Sequence, residues 1–295
     1  MTKQIIAQAL TNDENAVIFI VHENQNYQIV LYQLHSKLSH VLFTTTYPVK
    51  QFVNFSDSIY FICNEEILQL LLTTQETNVI TKATMLNSYN SQAFIYEQKG
   101  QVFSYNVATK CHTQLVTDIE KMYRTAGEMV LYKKNEEIVY MCDGKEQRFP
   151  VQCDIESVAL SFDGQYMAFF NENEQGRHFY IYDLQEHIVQ NMTELLGETI
   201  GYNGPELAQL HACEMPAWTE MNAFYFLVTA NDETRLYYGD LYGTLLPASP
   251  EDEYIYSYTI SNSGNWAVTS VLTKQHKMKC YKLDITTGNE MEIII

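Results

Sequence analysis

The run His-Ala-Cys-Glu at 211–214 sets a nitrogen, a sulfur and a carboxylate, His211, Cys213 and Glu214, close together. These are donor types of a transition-metal site. A fourth ligand is not visible, and residues two apart on a strand face opposite ways. No metal and no cofactor are therefore expected, and His211 and Glu214 stay as candidate binding residues. Trp218, four positions on, joins them because an indole could stack on a sugar or a base. The competing use of Trp218, and of Trp266, is to fill the wedge between two packed sheets. Carboxylates in "PEDEY" (250–254) and "NDE" (231–233) could chelate calcium. They lack the spaced Asp/Asn/Gly pattern of a dedicated calcium loop and read as solvated loops. His35, His40 and His187 read as solvated turn residues. No nucleophile and base cluster in the sequence, so no catalytic residue is assigned.

Such side chains need a scaffold, and the bulk numbers bound it. The 295 residues are 46% hydrophobic, with 22 Tyr and 14 Phe against only 12 Gly and 6 Pro. That is enough apolar material for a real core, and aromatics favour strands. The 18 Lys and Arg face 36 Asp and Glu, a formal charge of −18. A chain so acidic repels phosphate backbones and anionic leaflets, so neither nucleic acid nor membrane is an expected partner. No apolar run reaches the roughly 18 residues of a spanning helix, and no leader is apparent at the N-terminus. The six cysteines, at 63, 111, 142, 153, 213 and 280, form no Cys-x-x-Cys pair and lie in or beside apolar runs. They read as buried free thiols, and the expected location is the cytoplasm.

The organisation appears as a repeat. "SVALSFDGQYMAFF" (157–170) is a strand, a polar turn and a second apolar strand. The same pattern recurs at 9–21, 52–63, 85–96, 122–132, 216–228 and 258–271, making seven copies. Second strands anchored at Val17, Ile59, Ala93, Val130, Met167, Phe224 and Ala267 are spaced by 42, 34, 37, 37, 57 and 43 residues. The mean of about 42 is the length of a four-stranded propeller blade. A second landmark closes the third strand of five units, with Gln33, Asn106, Asp183, Asp240 and Asp284 placed to accept backbone N–H groups and start a turn. The expected fold is all-β: one seven-bladed propeller of four-stranded antiparallel blades over 1–295. It should close without a swapped strand, because the first unit has its own first strand and the last its own fourth. Asp163-Gly164 is expected to form a two-residue hairpin turn with positive φ at Gly164 and a structural role. The segments 65–72 and 206–215 are ambiguous between strand and helix. The long interval before the sixth unit marks an insertion at 193–215, a place where loops often carry function.

"SVALSFDGQYMAFF" and "MPAWTEMNAFYFL" resemble the strand-turn-strand repeat of TolB-type and prolyl-oligopeptidase-type propellers, and "FYIYDL" resembles the end of that unit's third strand. The resemblance implies the propeller and says little about activity. The hydrolase that often accompanies such propellers would need a Gly-x-Ser-x-Gly elbow, which is absent here. The expectation is a non-enzymatic module binding a protein or peptide on one face of the ring. The alternative is a lyase- or lactonase-like enzyme, with His, Asp and Glu from several blades around a metal at the channel mouth.

Overall fold

The computed structural model describes residues 3–151, 155–173, 176–193, 215–230, 233–251, 254–275 and 277–295. These form seven β-sheets of consecutive strands, and no helix occurs among the described residues. Blade 1 shows the plan: strands a to d at Gln4–Leu10, Ala16–Glu23, Asn26–Gln33 and Leu38–Thr45, each antiparallel to the next. The remaining blades begin at Val49, Met85, Lys121, Ile155, Ala217 and Ile255. Segment 65–72 resolves as a strand, Glu66–Leu71, the third of blade 2. The other ambiguous segment, 206–215, lies outside the described residues apart from Met215.

Strand b explains why the sequence shows continuous apolar runs instead of alternation. In blade 1, Val17, Phe19 and Val21 pack with Tyr256, Val268 and Leu272 of blade 7. Ile18 and Ile20 pack the other way, with Ile59, Phe61 and Leu70 of blade 2. Both faces of the strand are buried, so every position must be apolar. Seven such clusters occur, one between each pair of neighbouring blades. Each large side chain removed from water contributes about 1.5–3 kcal/mol, and no blade can bury both faces alone.

Polar side chains stitch the same interfaces near the axis. Asn54 donates to the Leu10 carbonyl at 2.9 Å (blades 2 and 1), and Gln51 accepts from the Leu86 N–H at 2.9 Å (2 and 3). Asn87 donates to the Tyr123 carbonyl at 2.8 Å (3 and 4), and the Trp218 indole to the Ala159 carbonyl at 3.0 Å (6 and 5). Tyr258 donates to the Tyr225 carbonyl at 2.8 Å (7 and 6). The seam between blades 7 and 1 is held by Gln8, which donates to the Val268 carbonyl at 2.7 Å and accepts from Ser270 at 2.5 Å. Lys3 adds a bond of 2.6 Å to the Ile295 carbonyl. The ring closes with no strand exchanged between these blades, as the repeat implied.

Blade 4 departs from the regular meander. Its inner strand pairs with its own sheet only over Lys121–Met122. Beyond Tyr123, Arg124–Ala126 pairs parallel with Ser157–Ala159 of blade 5. The Tyr123 carbonyl at this break is the one Asn87 caps, so the switch leaves no orphaned acceptor there.

The Asp163-Gly164 turn differs from expectation. It is a four-residue connection, 162–165, between Ser161 and Tyr166, not a two-residue one. The Ser161 N–H donates to the Tyr166 carbonyl at 2.8 Å, and the Gly164 N–H to the Ser161 carbonyl at 3.0 Å. Ser161 Oγ donates to Asp163 Oδ1 at 2.6 Å and accepts from the Tyr166 N–H at 3.0 Å. These side-chain bonds favour the wider turn over the two-residue form. Gly164 has φ +71°, and a Cβ there would meet nothing within 4 Å. Gly164→Val is therefore expected to destabilise through the backbone alone, by about 1–2 kcal/mol. Chemical denaturation of the pair measures it, and equal midpoints would contradict the strain argument.

The cysteines need one correction. Cys63 and Cys280 are buried, Cys142 is half-buried and Cys111 is exposed; all four are free. Cys111 opens the outermost strand of blade 3, Cys111–Val116, whose first four residues face solvent. Burial pushes the Cys280 thiol up to about 12. Cys153 and Cys213 lie outside the described residues.

Candidate functional site

Antiparallel order puts the a–b and c–d turns of every blade on one face of the ring and the b–c turns and d–a connections on the other. The first face is built from interlocked turns. In blade 1, Thr11, Asp13, Glu14 and Ala16 repeat the geometry of Ser161, Asp163, Gly164 and Tyr166. Thr11 Oγ1 donates to Asp13 Oδ1 at 2.6 Å and accepts from the Ala16 N–H at 3.0 Å, and Glu14 takes the left-handed place with φ 55°. Blade 7 uses Ser261 and Gly264 in the same way. Asn222 Nδ2 donates to Asp163 Oδ2 at 2.6 Å, the Glu220 N–H to the Asn262 carbonyl at 3.0 Å, and the Asn262 N–H to Glu14 Oε1 at 2.5 Å. These contacts join the turns of blades 5, 6, 7 and 1 in a chain.

The c–d turns follow the landmark residues. Asn106, Asp183, Asp240 and Asp284 each accept at least one backbone N–H within the following turn, at 2.8–3.1 Å. At Gln33 the backbone carbonyl closes the turn by accepting from Lys37 at 2.9 Å.

Three large apolar side chains stand in solvent on this face, on blades 5 and 6: Phe162 (57% exposed), Met221 (83%) and Tyr242 (97%). Phe162 and Met221 sit beside Asp163 and Asn222, whose bond joins their two turns. Burial pushes the Tyr166 phenol up, as do the nearby charges of Asp183 and Asp163 and the neighbouring Tyr242, which places Tyr242 in the same neighbourhood. Core packing gives no reason for these exposures.

Carboxylates dominate the face. The a–b turns carry Asp13, Glu14, Asp57, Glu128, Asp163 and Glu220, and the c–d turns add Glu76, Asp143, Glu186 and Asp240. Only Lys37 and Lys110 oppose these ten in the same turns, on blades 1 and 3.

Partial burial raises the Asp163 carboxyl, but bonds from Ser161, the Gln165 N–H and Asn222 outweigh it and hold the group below its ordinary value. Such a carboxylate adds stability that is full above the unfolded value of about 4 and is lost as pH falls through the lower folded value. Asp163→Asn is expected to destabilise at pH 7 by about 0.5–1 kcal/mol, the range for an exposed charged site. The gap should narrow as pH falls below the unfolded value and close once it passes the lowered folded value, where the wild-type carboxyl also gains its proton. Melting curves from pH 7 down through the acid range decide it; an undiminished gap in acid would exclude the ionised bonds as its source.

The residues singled out from sequence fare differently. His211 and Glu214, with most of the 193–215 insertion, lie outside the described residues, as do Asp232, Asp252 and Glu253 of the calcium candidates. Trp218 is described and is 5% exposed, with its indole N–H bonded to blade 5 and its ring edge-on to Phe224 at 5.4 Å. It fills the wedge between blades 5 and 6. Trp266 lies under the Lys282 ammonium at 4.1 Å. His40 belongs to the outer strand of blade 1 instead of a turn, because the strand starts at Leu38. No three His, Cys, Asp or Glu come together as metal ligands among the described residues. The exposed trio was missed because single turn residues carry no periodic signal; Phe162 beside Asp163-Gly164 was the one visible hint.

No family model and no curated protein matches the chain. Solved structures do. The β-propeller domain of the Trilobed protease from Pyrococcus furiosus, described as having an open velcro topology, aligns over 100% of this chain and 99% of its own with TM-score 0.70 and 14% identity. A puromycin-hydrolyzing peptidase of Mycobacterium tuberculosis aligns over 99% of this chain with TM-score 0.75 and 9% identity. TolB from Acinetobacter baumannii aligns over 75% of this chain with TM-score 0.51 and 15% identity. The fold is that of the TolB and peptidase propellers. This chain spans 52% of the length of that mycobacterial peptidase and 59% of that TolB. At such identities the likeness concerns the scaffold, and activity has to be argued from the surface.

Proposed function

We propose that the protein is a non-enzymatic binding module that holds a protein or peptide on the turn face of blades 5 and 6. The observation carrying this is the exposure of Phe162 and Met221 on adjoining a–b turns joined by the Asn222–Asp163 hydrogen bond, together with that of Tyr242 on the c–d turn of blade 6. Large apolar groups gathered on a surface mark interaction sites, and aromatic residues and Met are enriched in interface centres. Turns already fixed by Asp163 and Asp240 lose little freedom on binding, which favours affinity. The Asp163-Gly164 turn then belongs to the binding face as well as to the scaffold. The free thiols Cys63, Cys111, Cys142 and Cys280 support a cytoplasmic setting.

Selection of a displayed peptide library on the immobilised full chain tests the reading. The wild type should enrich a set of peptides, and the triple variant Phe162→Ala, Met221→Ala, Tyr242→Ala should lose them while keeping its melting temperature. No enrichment, or a set retained by the triple variant, would reject this face.

A further inference from the structure

Resting on that reading, we infer that the occupant of the blade 5–6 turn face is a cationic segment of a partner protein, Lys- and Arg-rich with apolar side chains between its charges. The charge around the apolar trio is the first ground. Ten turn carboxylates meet two lysines on this face. The imbalance is sharpest at the apolar trio. Phe162, Met221 and Tyr242 share their turns with Asp163, Glu220 and Asp240, Glu186 lies in the remaining turn of blade 5, and the a–b and c–d turns of these two blades carry no Lys or Arg.

The second ground is that the charges are oriented. Asp163 Oδ1 is held by Ser161 and the Gln165 N–H, and Asp240 Oδ1 by the N–H groups of Tyr242 and Thr244. Asp183, at the end of the third strand of blade 5, accepts from the N–H groups of Gln185 and Glu186 at 2.9 Å. Fixed carboxylates beside exposed apolar groups match a segment that alternates ammonium or guanidinium groups with aliphatic or aromatic ones. Tyr242, almost wholly in solvent, offers a ring face for a guanidinium or ammonium to stack on. An acidic or phosphorylated segment would meet like charge throughout, and an uncharged one would bring these carboxylates no counter-charge.

Three fluorescent probe peptides with the same apolar residues test this on the full chain. One has Lys and Arg between the apolar positions, one Ser and Gln, and one Glu. Anisotropy titrations should show the cationic probe binding at least about tenfold tighter than the neutral one, with the acidic probe weakest. Raising salt from about 50 to about 300 mM should weaken the cationic probe severalfold. The double variant Glu186→Gln, Glu220→Gln should weaken it about three- to tenfold, and Tyr242→Ala, Met221→Ala by a similar factor, with melting temperatures unchanged. A neutral probe that binds as tightly as the cationic one, and is still lost with Tyr242 and Met221, would overturn the charge inference and leave the docking face standing. Cationic binding indifferent to Tyr242 and Met221 would be diffuse attraction and would overturn both. Failure of all three probes would overturn the inference, while the library selection judges the face separately.

Discussion

Trp218→Ala is expected to destabilise the ring by about 3–5 kcal/mol, the range for deleting a fully packed large aromatic. The melting temperature should fall by roughly 2 °C for each kcal/mol in a chain of this size. The indole lies between blades 5 and 6, edge-on to Phe224 and with Tyr166 at 6.3 Å. Its removal opens a cavity and leaves the Ala159 carbonyl without the indole N–H it accepts. Trp218→Phe separates the two effects: it keeps most of the packing and loses the bond, so its deficit should be only about 1–2 kcal/mol. Thermal denaturation of both variants makes the comparison. A Trp218→Ala protein as stable as the wild type would mean that blades 5 and 6 do not depend on this wedge.

Gly239→Ala should be the most damaging small substitution in blade 6. A Cβ at Gly239 would lie 2.2 Å from Phe224 Cε2, 2.6 Å from its Cζ and 2.9 Å from Leu245 Cδ2. Phe224 is fully buried, with Phe179 at 5.2 Å and Trp218 at 5.4 Å, so its ring cannot swing away. In blades 1, 3 and 5 the matching register position holds Tyr32, Tyr105 and Tyr182. In blade 6 the ring of Phe224, the cross-strand partner of Gly239, takes that space. Overpacking at a rigid site costs about 1–3 kcal/mol, and the short contacts here favour the upper end. Gly164→Val provides the contrast, since its cost comes from backbone conformation in open space. If Gly239→Ala melted with the wild type, the Phe224 ring would have to be placed differently.

The blades were legible because strand formation is local. "AVIFIV", "SIYFIC" and "FYFLV" are apolar at consecutive positions, and only a strand buried on both faces needs that pattern. Polar turn residues at regular spacing then mark where each strand ends, so the blade count and the unswapped closure followed from period and phase. Turn geometry was only half legible. Asp163-Gly164 announced itself through glycine, but the same turn in blade 1 hides behind Glu14, a residue type that gives no such signal.

By itself, the order of residues determined the strands, the seven units and the strong negative charge, because each is a property of neighbouring positions or of composition. Only the tertiary structure decided which turns meet, which aromatics face a neighbouring blade and which stand in solvent. Asp163 and Asn222 are 59 residues apart and Glu14 and Asn262 are 248 apart, yet each pair is joined once the ring closes. Trp218 and Tyr242 are both aromatics near polar turns in sequence. Closing the ring puts one under blade 5 and leaves the other in water, because burial depends on what the neighbouring blade covers and not on the residue's own segment.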